Sequence, residues 1–257
     1  MSEAAATSMG VESTDKVGHR RWVRVSHWVM VASFLTLGVT GVFILAVHPR
    51  LYWGEAGNDL MPAILEFPLS NNYRPDDYER TVTFGVGTDA PFTANRNYDI
   101  FNQNHWGRSL HFLAAWFLVV TGLAYVVAGL GSGHVARDLL PRFRELGPAR
   151  LWQDLKSHLR GEFDSGGGGP PYGLLQRCAY ASVVFVAFPL MVVTGLAMAP
   201  AITAAFPSLL DLFGGYQSAR TIHFFGFAAL VLFFVVHVWM VIATGFRRQL
   251  RAMTLGD

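Results

Sequence analysis

The chain has 257 residues, of which 52% are hydrophobic and 15% are charged. Its mean hydropathy of +0.32 excludes a pair of soluble domains and is typical of a polytopic membrane protein, while its net charge of +2 gives no indication of a nucleic-acid partner. The single cysteine, Cys178, excludes an internal disulfide and lies in an apolar segment, where we interpret it as a packing residue. Neither a CxxCH haem-attachment motif nor a CxxC cluster motif is present, so any haem would be held non-covalently.

The first apolar run predicts a membrane span over about residues 25–47. Residues 1–24 are polar and contain the pair Arg20 and Arg21, as an export signal would. The run is too long for a cleaved signal and contains His27, so we interpret it as a retained span.

Residues 48–106 form the longest hydrophilic section. Its many aromatic residues argue against disorder, and we expect a periplasmic loop that folds over the outer face and presents an acidic docking surface. Within it, the sequence DLMPAILEF at 59–67 is interpreted as a short interfacial helix.

The second span is predicted over about 108–130 and is followed by a basic cytoplasmic loop, 131–174. This loop contains a helix-like segment, ARLWQDLKSHL, at 149–159. A glycine run at 166–169 is interpreted as a linker, because no Lys-Ser/Thr pair follows it as a nucleotide-binding loop requires.

The third span is predicted over about 175–199, with a kink at Pro189. A short loop over 200–219 leads to the fourth span, at about 220–246. The basic tail leaves through Arg247, Arg248 and Arg251. We therefore expect one all-α membrane domain, 1–257, built as a four-helix bundle with a large loop between its first two helices.

The distribution of basic residues predicts the orientation. Of the 20 Lys and Arg residues, 14 lie in the amino-terminal segment, the loop 131–174 with the entry to span three, and the tail. This excess predicts that both termini are cytoplasmic in a bacterial inner membrane, with the loop 48–106 in the periplasm.

Four histidines lie within the predicted spans: His27, His111, His223 and His237. The last two are 14 residues apart on one helix, which corresponds to a rise of about 21 Å and places them on nearly the same face. With alternating spans, His27 and His237 share the cytoplasmic level, and His111 and His223 share the periplasmic level. Paired imidazoles at one level of a helix bundle are what a bis-histidine haem requires.

These histidines also allow interpretations other than haem ligation. A lone histidine near a helix end is more often an interfacial residue than a ligand, but pairing by depth favours ligation. His105 competes with His111, which we favour because it lies within the helix. The pairs are too far apart for one tetrahedral zinc site.

Two short repeats accompany the histidines. An arginine lies three positions before three of them, at Arg24, Arg108 and Arg220, where it would reach a haem propionate or simply anchor the helix end. A Thr-Gly pair occurs in every predicted span, and ordinary close packing accounts for most of these pairs. Gly38 and Gly122 would leave room for a porphyrin.

This pattern of one histidine in span one, one in span two, none in span three and two in span four resembles the membrane cytochrome b subunits of bacterial formate dehydrogenase, nickel–iron hydrogenase and thiosulfate reductase. The segment PYGLLQRCAY at 171–180 is similar to the entry of span three in the thiosulfate reductase branch. Tyr172, Gln176 and Arg177 match that motif, whereas Gly173 and Leu174 occupy its Asn-Pro positions.

The resemblance implies two b haems, a ubiquinone or menaquinone site near the cytoplasmic haem, and a periplasmic catalytic partner that is often a molybdopterin enzyme. Gln176 would then hydrogen-bond a quinone carbonyl, with Tyr172 and Arg177 nearby. The chain would relay electrons between quinone and the partner, in a direction that the sequence leaves open.

Two alternatives remain at this stage. The first is a stand-alone b561-type quinol oxidase that donates electrons to a soluble acceptor. The second is a membrane transporter or scaffold without haem, although the absence of an obvious inverted repeat makes a transporter less attractive.

Overall fold

A computed structural model describes residues 19–58, 61–67, 104–160 and 173–256. Within them, four helical segments are long and apolar enough to cross a membrane: Arg21–Val47, His105–Gly131, Leu174–Ala197 and Tyr216–Ala243. The predicted all-α bundle is confirmed, and the ends of these segments lie within four residues of the predicted ones. Tyr172, the glycine run and residues 68–103 of the expected docking loop lie outside the described residues.

The elements follow the chain in a simple order. They are α1 (Arg21–Val47), β1 (Arg50–Leu51), β2 (Leu65–Glu66), α2 (Asn104–Gly131), a π-helical turn (Val135–Leu139), a 3-10 turn (Phe143–Glu145), α3 (Pro148–Leu159), α4 (Leu174–Ser182), a second π-helical turn (Val183–Ala187), α5 (Phe188–Ala197), α6 (Pro200–Ala205), α7 (Ser208–Asp211), α8 (Tyr216–Ala243) and α9 (Phe246–Thr254).

The membrane-spanning helices pack as two pairs. Helix α1 lies against α2 along its length, and α5 lies against α8, whereas close backbone approaches between the two pairs are few among the described residues. Side chains connect the pairs instead, as in the contact between Phe34 of α1 and Phe234 of α8, whose ring centroids are 5.5 Å apart. The space between the pairs is therefore wide enough to be filled by side chains rather than closed by backbone contact.

The third span is interrupted where the sequence predicts an irregularity. Its α-helical hydrogen bonding changes to a π-helical turn at Val183–Ala187, immediately before Pro189, which has no backbone N–H to donate. Cys178, in α4, is half-buried rather than fully buried as a packing residue would be.

The prediction of an interfacial helix at 59–67 is wrong for the part that the structure describes. Leu65–Glu66 pairs antiparallel with Arg50–Leu51. The buried carboxylate of Glu66 lies 3.5 Å from the Arg50 guanidinium, and this ion pair connects the two short strands. Long-range pairing decides the conformation here, and local helical propensity does not reveal it.

The described part of this loop, residues 48–58 and 61–67, is held against the start of α8, and we call this end of the bundle the outer end. The Thr221 hydroxyl donates to the Tyr52 carbonyl at 2.6 Å, and the Gly54 amide donates to the Ser218 hydroxyl at 2.7 Å. Gly215 has a φ of 115°, and a Cβ there would meet the backbone of Gly54 at 2.6 Å. Only glycine fits this contact without strain.

Two predicted loops contain more helix than expected. Residues 200–219 include the short helices α6 and α7. The tail is not a simple exit, because it turns at Thr244–Gly245 and continues as α9, an amphipathic helix with a basic face. Helix α9 returns to the first span, where the Trp28 indole donates to the Met253 carbonyl at 3.0 Å. This is the inner end of the bundle.

Candidate functional site

The four predicted histidines occupy two levels of the bundle. His111 and His223 each lie seven positions after the first residue of their helices, α2 and α8, which begin at the outer end. His27 lies six positions after the start of α1, and His237 lies six positions before the end of α8, both towards the inner end. Because α8 is one continuous helix, His223 and His237 are about 21 Å apart along its axis.

At the inner level, His27 and His237 face each other across the space between the helix pairs. Their ring centroids are 6.4 Å apart with an interplanar angle of 52°. His237 stacks on Phe233 at 5.7 Å, and the Tyr180 ring approaches its edge at 6.1 Å. The inner pair therefore lies in a largely aromatic environment.

The inner pair fits a metal ion held between two imidazoles. An imidazole nitrogen binds a transition metal at about 2.0 Å and lies about 1.2 Å from its ring centre, so two rings on opposite sides of one iron have centroids about 6.4 Å apart. The observed separation is 6.4 Å. In addition, the Nδ1 atom of His27 is buried without a hydrogen-bond partner in the part of the chain that the structure describes, which is costly for a polar atom unless something binds it.

At the outer level, each histidine is held by a threonine of its own helix pair. Thr40 of α1 contacts Nδ1 of His111 at 2.9 Å, and Thr194 of α5 contacts Nδ1 of His223 at 2.8 Å. Both rings lie at the same level of the bundle, because each is seven positions into a helix that begins at the outer end. The outer level thus brings His111 and His223 together from opposite helix pairs.

Glycines lie beside the two outer histidines, and the two glycines expected to leave room for a porphyrin differ in their surroundings. A Cβ at Gly41 would lie 3.6 Å from Cε1 of His111, and one at Gly195 would lie 3.6 Å from Cε1 of His223. A Cβ at Gly122 would have no atom within 4 Å, whereas one at Gly38 would lie 3.5 Å from Phe227. The space at Gly38 is thus already bordered by a phenylalanine ring, whereas Gly122 borders open space.

The three arginines expected near the histidines have different surroundings. Arg220 donates to the backbone carbonyls of His48 and Arg50, so it holds the outer loop. Arg24 donates to the Thr254 carbonyl at 3.0 Å, although its buried Nε atom has no hydrogen-bond partner within residues 19–58, 61–67, 104–160 and 173–256. Arg108 is exposed at the start of α2.

Of the predicted quinone residues, Gln176 and Arg177 lie at the inner start of span three. The Gln176 side chain accepts from the Gly173 amide at 3.2 Å, which is a helix-capping contact. Arg177 is buried and forms an ion pair with Glu145, and this ion pair lowers the pKa of Glu145 from its ordinary value. A cavity of about 460 Å³ opens beside this pair, but all of its lining residues except Leu174 are polar or charged, and Gln176 is not among them.

A hydrogen-bonded cluster at the inner end was missed by sequence reasoning. The Tyr125 hydroxyl lies 3.3 Å from Nε2 of His134, and Nδ1 of His134 lies 2.7 Å from the Asp138 carboxylate. His19 interacts electrostatically with both His134 and His27, and its burial lowers its pKa. The spacing of four residues between His134 and Asp138 was the available signal.

Residues 18–256 match the family described as prokaryotic cytochrome b561, which covers nearly the whole chain. The chain belongs to the prokaryotic cytochrome b561 family. No solved structure shows a significant match to it.

Two relatives of this cytochrome have functional names. A putative protein-methionine-sulfoxide reductase subunit, YedZ1, of Azospira oryzae is 28% identical over 223 residues, which are 87% of this chain and 89% of the relative. A probable Ni/Fe-hydrogenase B-type cytochrome subunit of Azotobacter vinelandii is 26% identical over 231 residues, which are 86% of this chain and 77% of the relative.

Family membership and the four apolar helices together establish the class of this protein and its general role. It is a multi-pass membrane cytochrome of a haem b family, and its role is electron transfer. This confirms the resemblance that the histidine pattern indicated, and it argues against the non-haem transporter or scaffold.

Proposed function

We propose that this cytochrome is a di-haem b subunit that relays electrons between the membrane quinone pool and a periplasmic oxidoreductase. His27 and His237 would hold the inner haem, and His111 and His223 the outer haem. The observation that supports this most strongly is the inner pair, whose rings are separated by the distance that one shared iron requires.

In this proposal, the residues of the chain would bind the haems, orient them and shield them from water. When bound, haem b supplies reversible one-electron chemistry. The histidines fix the two levels, and aromatic residues such as Phe233 and Tyr180 keep the inner level apolar. The Nε of Arg24, which lacks a hydrogen-bond partner among the described residues, would donate to a propionate at the inner level. Arg108 and Arg220 would serve the outer level.

The quinone site is proposed at the inner start of the third span. Gln176 keeps its side-chain amide nitrogen available while its oxygen caps α4, so that nitrogen would donate to a quinone carbonyl. Tyr172 is proposed to lie nearby by the resemblance to the thiosulfate reductase branch. Arg177 would act indirectly, since its guanidinium is engaged by Glu145.

The partner is proposed from the relatives and from the outer loop. Both relatives are named as subunits of oxidoreductases. We propose a periplasmic catalytic partner of molybdopterin type, which docks on the outer end. In this arrangement both termini are in the cytoplasm, and the protein resides in the bacterial inner membrane.

A haem count tests the core of this proposal. The purified full-length cytochrome should contain two b haems per chain by the pyridine haemochrome assay, and both should be reduced by dithionite. A quinol analogue should reduce them in membranes. A preparation reconstituted with b haem that retains one or none would contradict the di-haem assignment.

A second measurement separates a subunit from a stand-alone quinol oxidase. A subunit should be slow to reduce soluble acceptors by itself, and its oxidation should accelerate when the co-purifying periplasmic protein and that protein's substrate are added. Rapid quinol-driven reduction of soluble acceptors by the isolated chain would favour the stand-alone oxidase instead.

A further inference from the structure

Two threonines make equivalent contacts with the two outer histidines. The Thr40 hydroxyl lies 2.9 Å from Nδ1 of His111, and the Thr194 hydroxyl lies 2.8 Å from Nδ1 of His223. Both threonines are fully buried, at 1% and 0% exposure, so water does not compete for these hydroxyls. Each threonine belongs to the neighbouring helix of the same pair, so the arrangement is repeated in the two halves of the bundle.

The surrounding carbonyls determine where the hydroxyl hydrogens point. The Thr40 hydroxyl lies 2.7 Å from the Thr36 carbonyl, and the Thr194 hydroxyl lies 2.7 Å from the Leu190 carbonyl. A carbonyl oxygen only accepts, and a hydroxyl has one hydrogen, so each threonine donates to its own helix. The same hydroxyl oxygen is then left to accept a hydrogen bond from the histidine.

It follows that Nδ1 carries the hydrogen in both outer histidines. A neutral imidazole that donates from Nδ1 has its free lone pair on Nε2. Nε2 is therefore the nitrogen available to bind a metal at the outer level.

We propose that Thr40 and Thr194 are positioning residues that fix the Nε2-ligating tautomer of His111 and His223 and lower the reduction potential of the outer haem. This inference rests on the proposed function. A hydrogen bond from Nδ1–H to a neighbouring oxygen makes the imidazole a stronger electron donor, and a stronger donor stabilises ferric over ferrous iron.

The inner level has no equivalent contacts. Nδ1 of His27 is buried without a partner, and His237 makes ring contacts but no hydrogen bond among the described residues. The effect of the threonines is therefore specific to one haem of the two. Thr244 provides a matched control, because it also precedes a glycine and donates to its own helix, at Met240, but hydrogen-bonds no histidine in the described part of the chain.

The test is a redox titration of the full-length cytochrome with substitutions at these threonines. Thr40→Val and Thr194→Val keep the side-chain shape and remove the hydroxyl, and Thr40→Ala and Thr194→Ala serve where valine reduces haem content. Each substitution should raise the reduction potential of the outer haem. The expected shift is up to about 59 mV, which corresponds to a tenfold change in the one-electron ferric–ferrous equilibrium. Thr40→Ser should restore the wild-type potential, and Thr244→Val should change neither haem.

Three results would overturn the inference. One is that both haems keep their wild-type reduction potentials in the valine and the alanine variants, while both haems are retained. Another is an equal shift in Thr244→Val, and the third is a shift confined to the inner haem. A wild-type chain without two haems would instead contradict the proposed function, and the inference would fall with it. The outer haem is identified by its loss in His223→Ala.

Discussion

Replacing the four histidines one at a time tests whether they form the two pairs that the structure brings together. Each ring would be one of the two histidines that hold one haem, so a single His→Ala change should remove one haem of two and about half of the reduced-minus-oxidised absorbance. His27→Ala and His237→Ala should lose the same haem, since their ring centroids are 6.4 Å apart. His111→Ala and His223→Ala should lose the other.

Redox titration of each variant measures which haem is left. The two variants of one pair should have the same remaining potential, and the two pairs should differ. His105→Ala is the control, because His105 is exposed at the start of α2 and should leave both haems in place. If His223→Ala and His111→Ala retained different haems, or if His105→Ala lost one, the pairing by depth would be wrong.

Three further predictions concern the parts of the fold that hold the site. Gly215→Ala should lower the free energy of unfolding by about 3 kcal/mol, because the new Cβ would meet the Gly54 backbone at 2.6 Å. Gly54→Ala should lower it by about 1 kcal/mol, because Gly54 has a φ of 97° but open space around it. Equal melting temperatures of the two variants would contradict this. Glu145→Gln should remove the part of the loss of stability in acid that comes from the Glu145–Arg177 ion pair. The Arg177 guanidinium lowers the pKa of Glu145 below its ordinary 4.5. The stabilisation is present above that value and is lost as the pH falls through the lowered folded pKa, so a wild-type melting curve without this acid decline would refute the assignment. Arg220→Lys should speed amide hydrogen exchange in residues 48–51, since a lysine does not reproduce the two carbonyl contacts; unchanged exchange there would show that other contacts hold the loop.

The spans and the two histidine levels could be predicted because they depend on local properties. Apolar length gives the spans, and a separation of 14 residues on one helix gives the level of His237 relative to His223. The strand pairing of Leu65–Glu66 with Arg50–Leu51 could not be predicted, because a buried Arg–Glu ion pair between segments that are distant in sequence determines it.

The threonine contacts show the same limit at the candidate site. The Thr-Gly repeats were visible in the sequence, but only the packing of α1 on α2 and of α5 on α8 distinguishes Thr40 and Thr194 from Thr244. The depth of a side chain follows from helix geometry, whereas its partner depends on how each helix is rotated towards its neighbour.

The division of the bundle into two helix pairs has a consequence for biogenesis. Each proposed site takes one histidine from α1 or α2 and one from α8, so each cofactor would connect the α1–α2 pair to the α5–α8 pair. Since few backbone contacts join the halves directly, cofactor insertion would complete the tertiary structure as well as the redox chain. In a haem-starved cell, the two helix pairs would not be held together, and the apo-protein would be more accessible to membrane proteases. The amount of this cytochrome would then follow the haem supply.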